Sequence, residues 1–310
     1  MIADKVGLSC HIQLNTKYGN FMNSLNISSF PLRVEIELSS ACNLKCTYCP
    51  RHYLPNIGEM IDIRLFQKLI SEMQEYPQTI LTLHRRGESL LHPNFNELMG
   101  MVSGKFKEIQ LATNCTLLTE EKFESIVNGL SFISFSIDVP HRFNSTRLGA
   151  DYETVEKNII NFLKFNKKRI KTQVSMVRTN LTEQYECDEF ISIWKNKVDR
   201  IRIYEEHSKN GIFGSTENVR IERKPCIMPF YEILIYADGT VGRCNHDWNG
   251  TRLGNTHTQS IKDIWDSDEL NSLRYQHKNL IFTDPVCMNC DSWYPEYGIQ
   301  GTGEVIEENL

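Results

Sequence analysis

The chain lacks any run of apolar residues long enough to cross a membrane, and its first thirty residues lack a basic start followed by a sustained apolar stretch. These absences point away from a membrane span and from a secretory signal. Positive charge is also in short supply. Lys and Arg number 34 against 39 Asp and Glu, giving a formal net charge of -5, so there is no electrostatic case for nucleic acid as a partner. The one basic phrase, NKKRIK at 166–171, reads as a solvated helix end leading into a strand. Ten cysteines in 310 residues are too few for a disulfide-stapled miniprotein. Their clustering favours metal ligation in a reducing cytoplasm over oxidised pairs, and the Asn-x-Ser/Thr matches at Asn26 and Asn180 are then accidental.

What is present begins with Cys42, Cys46 and Cys49 in the run EIELSSACNLKCTYCP. Three soft ligands around one polar turn make a metal site, with two occupants open at this point. Zinc is one. The other is a cubane iron-sulfur cluster, which three thiolates leave one protein ligand short and therefore open to a substrate or cofactor. Just upstream, Val34, Ile36 and Leu38 alternate with Glu35 and Glu37, so the cysteine loop should leave the C-terminal end of a strand.

The length permits a sizeable core in one large domain or two modest ones. Through the middle of the chain, strand patterns alternate with amphipathic helix patterns. Phe66, Leu69, Ile70 and Met73 make one apolar helical face; Phe123, Ile126, Val127 and Leu130 a second; Val155, Ile159, Phe162 and Leu163 a third. Strands are expected at 79–83, 106–111, 132–137, 170–177 and 200–204. This βα repetition predicts a parallel sheet covered by helices, with the active site at the C-terminal ends of the strands.

After Gly211 the texture changes. Cys226, Cys244, Cys287 and Cys290 form a second set of soft ligands among Pro, Gly, Asp and Asn. Their spacing leaves zinc and a fully ligated second cubane equally open. A hairpin is expected from 232–236 and 240–243, with Asp238-Gly239 at the turn. Ser260 should cap a following helix, with Asp263 reciprocating and Ile261, Ile264 and Trp265 packing one side.

CNLKCTYC resembles the three-cysteine signature of the radical S-adenosylmethionine (SAM) enzymes, and the resemblance extends over roughly 31–295. RRGESLLHP resembles the family's glycine-glutamate segment, retaining Gly87 and Glu88 while Arg86 and Ser89 replace the commoner glycine and proline. Segments 111–115 and 133–138 resemble later strand ends, where Asn114, Ser136 and Asp138 match cofactor-facing polar positions. CIMPFYEILIYADGTVGRC, then GN, SIKDIW and CMNC, resembles the auxiliary-cluster extensions called SPASM or twitch domains. No cysteine follows Cys290, so one auxiliary cluster is implied. The resemblance thus implies an α/β fold: a partial (β/α)6 TIM-like barrel with a small C-terminal hairpin-and-helix domain. The division would be 1–30 as an N-terminal extension, 31–210 as the barrel and 211–310 as the auxiliary domain and tail.

It also implies two [4Fe-4S] clusters and SAM as cofactors, with Cys42, Cys46 and Cys49 holding the first cluster and the four later cysteines the second. Gly87, Glu88, Asn114, Ser136 and Asp138 would contact SAM. A flavodoxin- or ferredoxin-type protein would supply electrons. Cleavage of SAM would yield a 5'-deoxyadenosyl radical that abstracts hydrogen from a C–H bond. The single-auxiliary-cluster layout resembles the 2-deoxy-scyllo-inosamine dehydrogenase and aminoglycoside epimerase group, implying oxidation of a sugar or aminocyclitol alcohol to a ketone. Arg178, Glu205, His207 and Arg243 are candidates for the substrate site. A radical epimerase is the first alternative, because Cys115 occupies a common glycine position of the family at the barrel mouth and a thiol can donate hydrogen to a carbon radical. Cys187 is a second candidate donor, within a helix-like stretch. A ribosomal-peptide-modifying enzyme ranks below these, with no obvious leader-recognition domain, and a non-enzymatic metal-stabilised module ranks lower. A SAM methyltransferase is disfavoured by the lack of a glycine-rich nucleotide loop.

Overall fold

The computed structural model describes residues 27–53, 58–206, 225–244, 247, 252–283, 285–288, 290 and 304–307. Six parallel strands come in sequence order: β1 (Arg33–Ile36), β2 (Ile80–Thr82), β3 (Glu108–Thr113), β4 (Phe132–Ser136), β5 (Lys171–Arg178) and β6 (Arg200–Glu205). Between them run α1 (Ile63–Met73), α2 (Phe95–Val102), α3 (Glu120–Gly129), α4 (Pro140–Thr146), α5 (Tyr152–Asn166) and α6 (Gln184–Trp194). This is the helix-covered parallel sheet that the alternating patterns predict, and it resembles the partial (β/α) barrel that the family resemblance implies. The third strand begins two residues later than expected: Phe106 packs into the core and the chain turns through Gly104 at φ +68° before pairing starts.

Each helix presents an apolar stripe to the sheet. In α1, Leu65, Phe66, Leu69, Ile70 and Met73 are buried, and Asp62 accepts from the backbone N–H groups of Arg64 and Leu65 at its N-terminus. The α5 face carries Val155, Ile159 and Phe162, and the helix stops where Lys167 turns left-handed at φ 47°. NKKRIK is therefore a helix end and strand approach.

Alternate residues along the strands divide the sheet chemically. Val34, Ile36, Leu81, Ile109, Leu111, Ile133, Phe135, Val174 and Ile203 join the helix-covered core. The opposite, inner face is also buried but polar: Glu35, Glu37, Thr82, Ser134, Gln173, Ser175 and Arg202 are all 5% exposed or less. The β1 alternation thus marks two buried faces of different chemistry, and buried polar groups persist only where they find partners.

The C-terminal region extends this same sheet. After α7 (Met228–Tyr231), β7 (Glu232–Ile235) pairs in parallel with β1, bringing Arg33 opposite Glu232 and Ile36 opposite Ile235. Strands β8 (Thr240–Gly242) and β9 (Gly254–Asn255) add antiparallel neighbours. The expected hairpin turn holds Gly239 at φ +78°. Helices α8 (Ile261–Trp265), α9 (Asp268–Asn279) and α10 (Pro285–Met288) follow, and Ser260 and Asp263 form the reciprocal cap on α8. Lys68 on α1 bonds the carbonyls of Thr256 and Gln259 at 2.8 and 3.0 Å, while Glu72 accepts from the Ile261 N–H at 2.8 Å. At the far edge, β10 (Glu304–Glu307) pairs antiparallel with β6, in a segment read from sequence as a tail.

Candidate functional site

The cysteine loop leaves β1 and is held by backbone bonds to the segment after α4: Lys45 N–H to Leu148 O at 2.8 Å and Thr47 N–H to Thr146 O at 2.9 Å. Cys42, Cys46 and Cys49 are partly buried and unpaired. Burial pushes the Cys46 thiol up to about 11; nearby Arg147 opposes the shift, and Cys49 and Cys42 add to it. Burial likewise raises Cys42, with Cys49 among the contributors. Among the described residues, no three His, Cys, Asp or Glu side chains are drawn together as a metal-holding set. The donor chemistry nonetheless fits an iron-sulfur cluster: one loop carries three cysteines, all soft thiolate donors.

Gly87 lies directly under the loop. A Cβ there would sit 2.3 Å from the carbonyl oxygens of both Ser39 and Ala41, so only hydrogen fits. Next to it, the Glu88 N–H donates to Ala41 O at 2.7 Å. The Glu88 carboxylate accepts from Asn114 N–H at 2.7 Å, Thr113 Oγ1 at 2.8 Å and Leu90 N–H at 3.1 Å. Burial lifts its pKa, and those three donors offset the rise only in part. Asn114 Nδ2 bonds Asn43 Oδ1 at 3.0 Å and reaches Cys42 Sγ at 3.8 Å. Gly87, Glu88 and Asn114 are thus brought together against the cysteine loop.

Asp138 stands beside the loop with its carboxylate occupied. It accepts from Arg147 Nε at 3.0 Å, Arg147 Nη2 at 3.1 Å, Thr146 Oγ1 at 2.8 Å and Tyr48 Oη at 3.0 Å. Tyr48 lies between Cys46 and Cys49, so this pair braces the loop from below. Arg147 was not singled out from sequence; its partner is nine residues away across a helix, with no periodic signal to announce it. Ser136 ends β4 in register with Ser175.

The other candidates separate. Arg178 and Glu205 pair at 3.3 Å at the ends of β5 and β6. His207 lies outside the described residues. Cys115 is fully buried in the helix-side core at φ +64°, its Sγ 3.4 Å from Thr113 O, and burial raises its pKa well above the usual thiol range. Cys187 is buried in α6.

Arg243 belongs to the second cysteine set. Its Nη1 donates to Cys287 Sγ at 3.7 Å, and its Nε lies 3.1 Å from Asp247 Oδ2. Cys226 and Cys244 pack on one small apolar cluster of Ile227, Met228 and Tyr231. The inner face connects to this region through Arg85 and through Arg86, the residue that replaces the family's commoner glycine. Arg85 Nη2 bonds the Cys244 carbonyl at 3.3 Å and its Nη1 lies 3.6 Å from Glu35. Arg86 grips Glu37 and stacks on Tyr236 at 4.1 Å. The donor chemistry of these four cysteines, one of which meets a buried guanidinium, suits an iron-sulfur cluster.

Along the inner face, Gln173 Nε2 bonds Ser134 Oγ at 2.7 Å, Ser134 and Ser175 hydroxyls lie 3.3 Å apart, and Arg200 donates to Gln173 Oε1. This wall is lined by hydroxyls, an amide and a guanidinium bonded to one another. Among the described residues, no helix is long and apolar enough to cross a membrane.

Comparison with known proteins matches residues 36–189 to the radical SAM superfamily and residues 226–291 to the SPASM iron-sulfur cluster-binding domain. The tungsten-containing aldehyde ferredoxin oxidoreductase cofactor-modifying protein of Pyrococcus furiosus is 24% identical, over 82% of this chain and 86% of its own length. The S-adenosyl-L-methionine-dependent 2-deoxy-scyllo-inosamine dehydrogenase of Niallia circulans is 24% identical, over 84% of this chain and 92% of its own. The crystal structure of Streptococcus suis SuiB bound to precursor peptide SuiA superposes with a TM-score of 0.68 at 16% identity, covering 90% of this chain and 73% of that one, a likeness of fold.

Proposed function

This chain belongs to the radical SAM superfamily and carries a SPASM iron-sulfur cluster-binding domain, and from that premise we propose that it oxidises an alcohol carbon of a sugar or aminocyclitol to a ketone. Cys42, Cys46 and Cys49 would hold the first [4Fe-4S] cluster, and Cys226, Cys244, Cys287 and Cys290 the second. When bound, these groups and SAM supply a 5'-deoxyadenosyl radical to remove a substrate hydrogen atom and a site to take up the electron released as the carbonyl forms.

The protein's own part is to place the substrate and keep water out. Gly87 lets the cysteine loop lie flat on the strand end, while Asn114 and the Arg147–Asp138 pair fix its approach. The observation that carries the substrate class is the buried polar wall of Ser134, Gln173 and Ser175 on the inner face. Such a wall suits a polyhydroxylated small molecule, whose hydroxyls replace one another's hydrogen bonds at little cost. The similarity to the inosamine dehydrogenase, over 84% of this chain and 92% of that one, supports the same class. Dehydrogenation is favoured over epimerisation because Cys115 is fully buried within the apolar core. A flavodoxin- or ferredoxin-type donor and a reducing cytoplasm complete the reading.

The test is anaerobic turnover of the reconstituted, reduced protein with SAM and a panel of sugars, aminocyclitols and peptides, followed by mass spectrometry. Loss of two hydrogens from a sugar or aminocyclitol, matched to 5'-deoxyadenosine, is the expected result. A mass-neutral product carrying solvent deuterium would overturn it in favour of epimerisation, and a modified peptide would overturn the substrate class.

A further inference from the structure

Two buried arginines converge on the second cysteine set from different directions. Arg243 follows β8, is 5% exposed, and donates from Nη1 to the sulfur of Cys287, which is 8% exposed. Its Nε faces Asp247, 1% exposed and 3.1 Å away. Asp247 is itself placed by Tyr236, whose hydroxyl donates to the Asp247 carbonyl at 3.2 Å, and by its own N–H, which donates to Cys244 O at 3.2 Å. Arg85 arrives from the end of β2 and reaches that same Cys244 carbonyl. One guanidinium thus touches a sulfur, and the other touches the backbone of a second cysteine.

A neutral thiol is a weak acceptor and needs no cation beside it. A thiolate does, and hydrogen bonds to the sulfurs of an iron-sulfur cluster are among the features that set its reduction potential. Reduction adds negative charge, so an N–H donor and a positive charge at the sulfur favour the reduced form and raise the potential.

From this geometry we propose that Arg243, oriented by Asp247, is a positioning residue that holds the Cys287 sulfur as a cluster ligand and raises the reduction potential of the auxiliary cluster, making it the electron acceptor of the reaction. Arg85 acts with it by fixing the Cys244 backbone. The proposal rests on the reading above, that the four later cysteines hold a cluster, and it removes Arg243 from the substrate site.

The test is a redox titration, followed by electron paramagnetic resonance, of the reconstituted full-length protein. The auxiliary signal is identified as the one that survives when Cys42, Cys46 and Cys49 are all changed to Ala. In Arg243→Gln, the auxiliary ratio of reduced to oxidised cluster at the wild-type midpoint should fall about tenfold, equivalent to about 59 mV for a one-electron couple. Arg243→Lys should recover part of the shift, and the first cluster should not move. An unshifted auxiliary midpoint in Arg243→Gln overturns the proposal. If that variant does not retain auxiliary iron, Asp247→Asn decides by a smaller shift in the same direction, and an unchanged midpoint there overturns it. A wild-type protein showing one cluster signal overturns both this proposal and the reading beneath it, whereas two signals with unshifted variants overturn the proposal alone.

Discussion

Arg86 and Glu37 form a two-pronged ion pair on the inner face of the sheet, with Nε to Oε1 and Nη2 to Oε2 both at 2.9 Å. The glutamate is wholly buried and also accepts from the Ala237 N–H of the C-terminal region, while the guanidinium lies 4.1 Å from the Tyr236 ring centre. This pair pins β1 to the strand that extends the barrel sheet. Glu37→Gln strands the buried guanidinium, and the expected cost is about 3–5 kcal/mol. Replacing both residues with Met should recover most of it. Urea unfolding of the single and double variants measures the difference, and equal losses in both would remove the pair from this role.

Gly87→Ala should unseat the cysteine loop, because the new methyl would fall 2.3 Å from two loop carbonyls. Iron bound at Cys42, Cys46 and Cys49 should fall, together with 5'-deoxyadenosine formation. Gly100→Ala is the control: it lies in α2 with nothing within 4 Å of the added carbon, and should raise stability by about 1 kcal/mol. Iron analysis and thermal melting of the two variants check the contrast.

Cys115 sits at φ +64° in the core. Cys115→Gly removes the left-handed strain of about 1–2 kcal/mol but also loses packing, so the melting temperature should change little. Product and 5'-deoxyadenosine should still form together in both Cys115→Gly and Cys115→Ala. Loss of product with 5'-deoxyadenosine retained would restore Cys115 as a hydrogen donor.

His84 follows β2 and accepts the Ala112 N–H on Nδ1 at 3.0 Å. Burial, with Arg33 and Arg85 adding to it, lowers its pKa to about 4 from an ordinary 6.5. The unfolded chain therefore takes up this proton first. The stabilisation is complete above about pH 6.5 and is lost as pH falls towards 4. His84→Asn, which keeps an acceptor for Ala112, should flatten the stability profile between those values by close to one proton. Identical profiles would show that His84 is not the titrating group.

Much of the fold was legible because its signals are local. Helical stripes such as Phe66, Leu69, Ile70 and Met73 and the Ser260–Asp263 cap depend on residues three or four apart, and the predicted helix faces are buried in the structure apart from Leu163, which is partly buried. Strand ends were less legible: β3 begins after the Gly104 turn, which a hydrophobic pattern beginning at Phe106 does not show. The C-terminal strand β10 carries no pattern that distinguishes it from a tail, since its pairing is decided by the free edge of β6.

The site divides along the same line. The sequence by itself determined the donor chemistry, two sets of soft cysteine ligands, while the choice of an iron-sulfur cluster over zinc rests on the resemblance of the surrounding motifs to one family. Only the tertiary structure decided where the long polar side chains end. Arg85 reaches Cys244 across 159 positions, Arg243 reaches Cys287 across 44, and Arg147 turns back to Asp138 across nine. The first of these follows from β7 pairing with β1 and β8 with β7, which brings Cys244 beside the end of β2. An arginine is long, has five donors, and bonds whichever acceptor the packing brings within reach, so its role is written in the register of the sheet and not in its own neighbourhood.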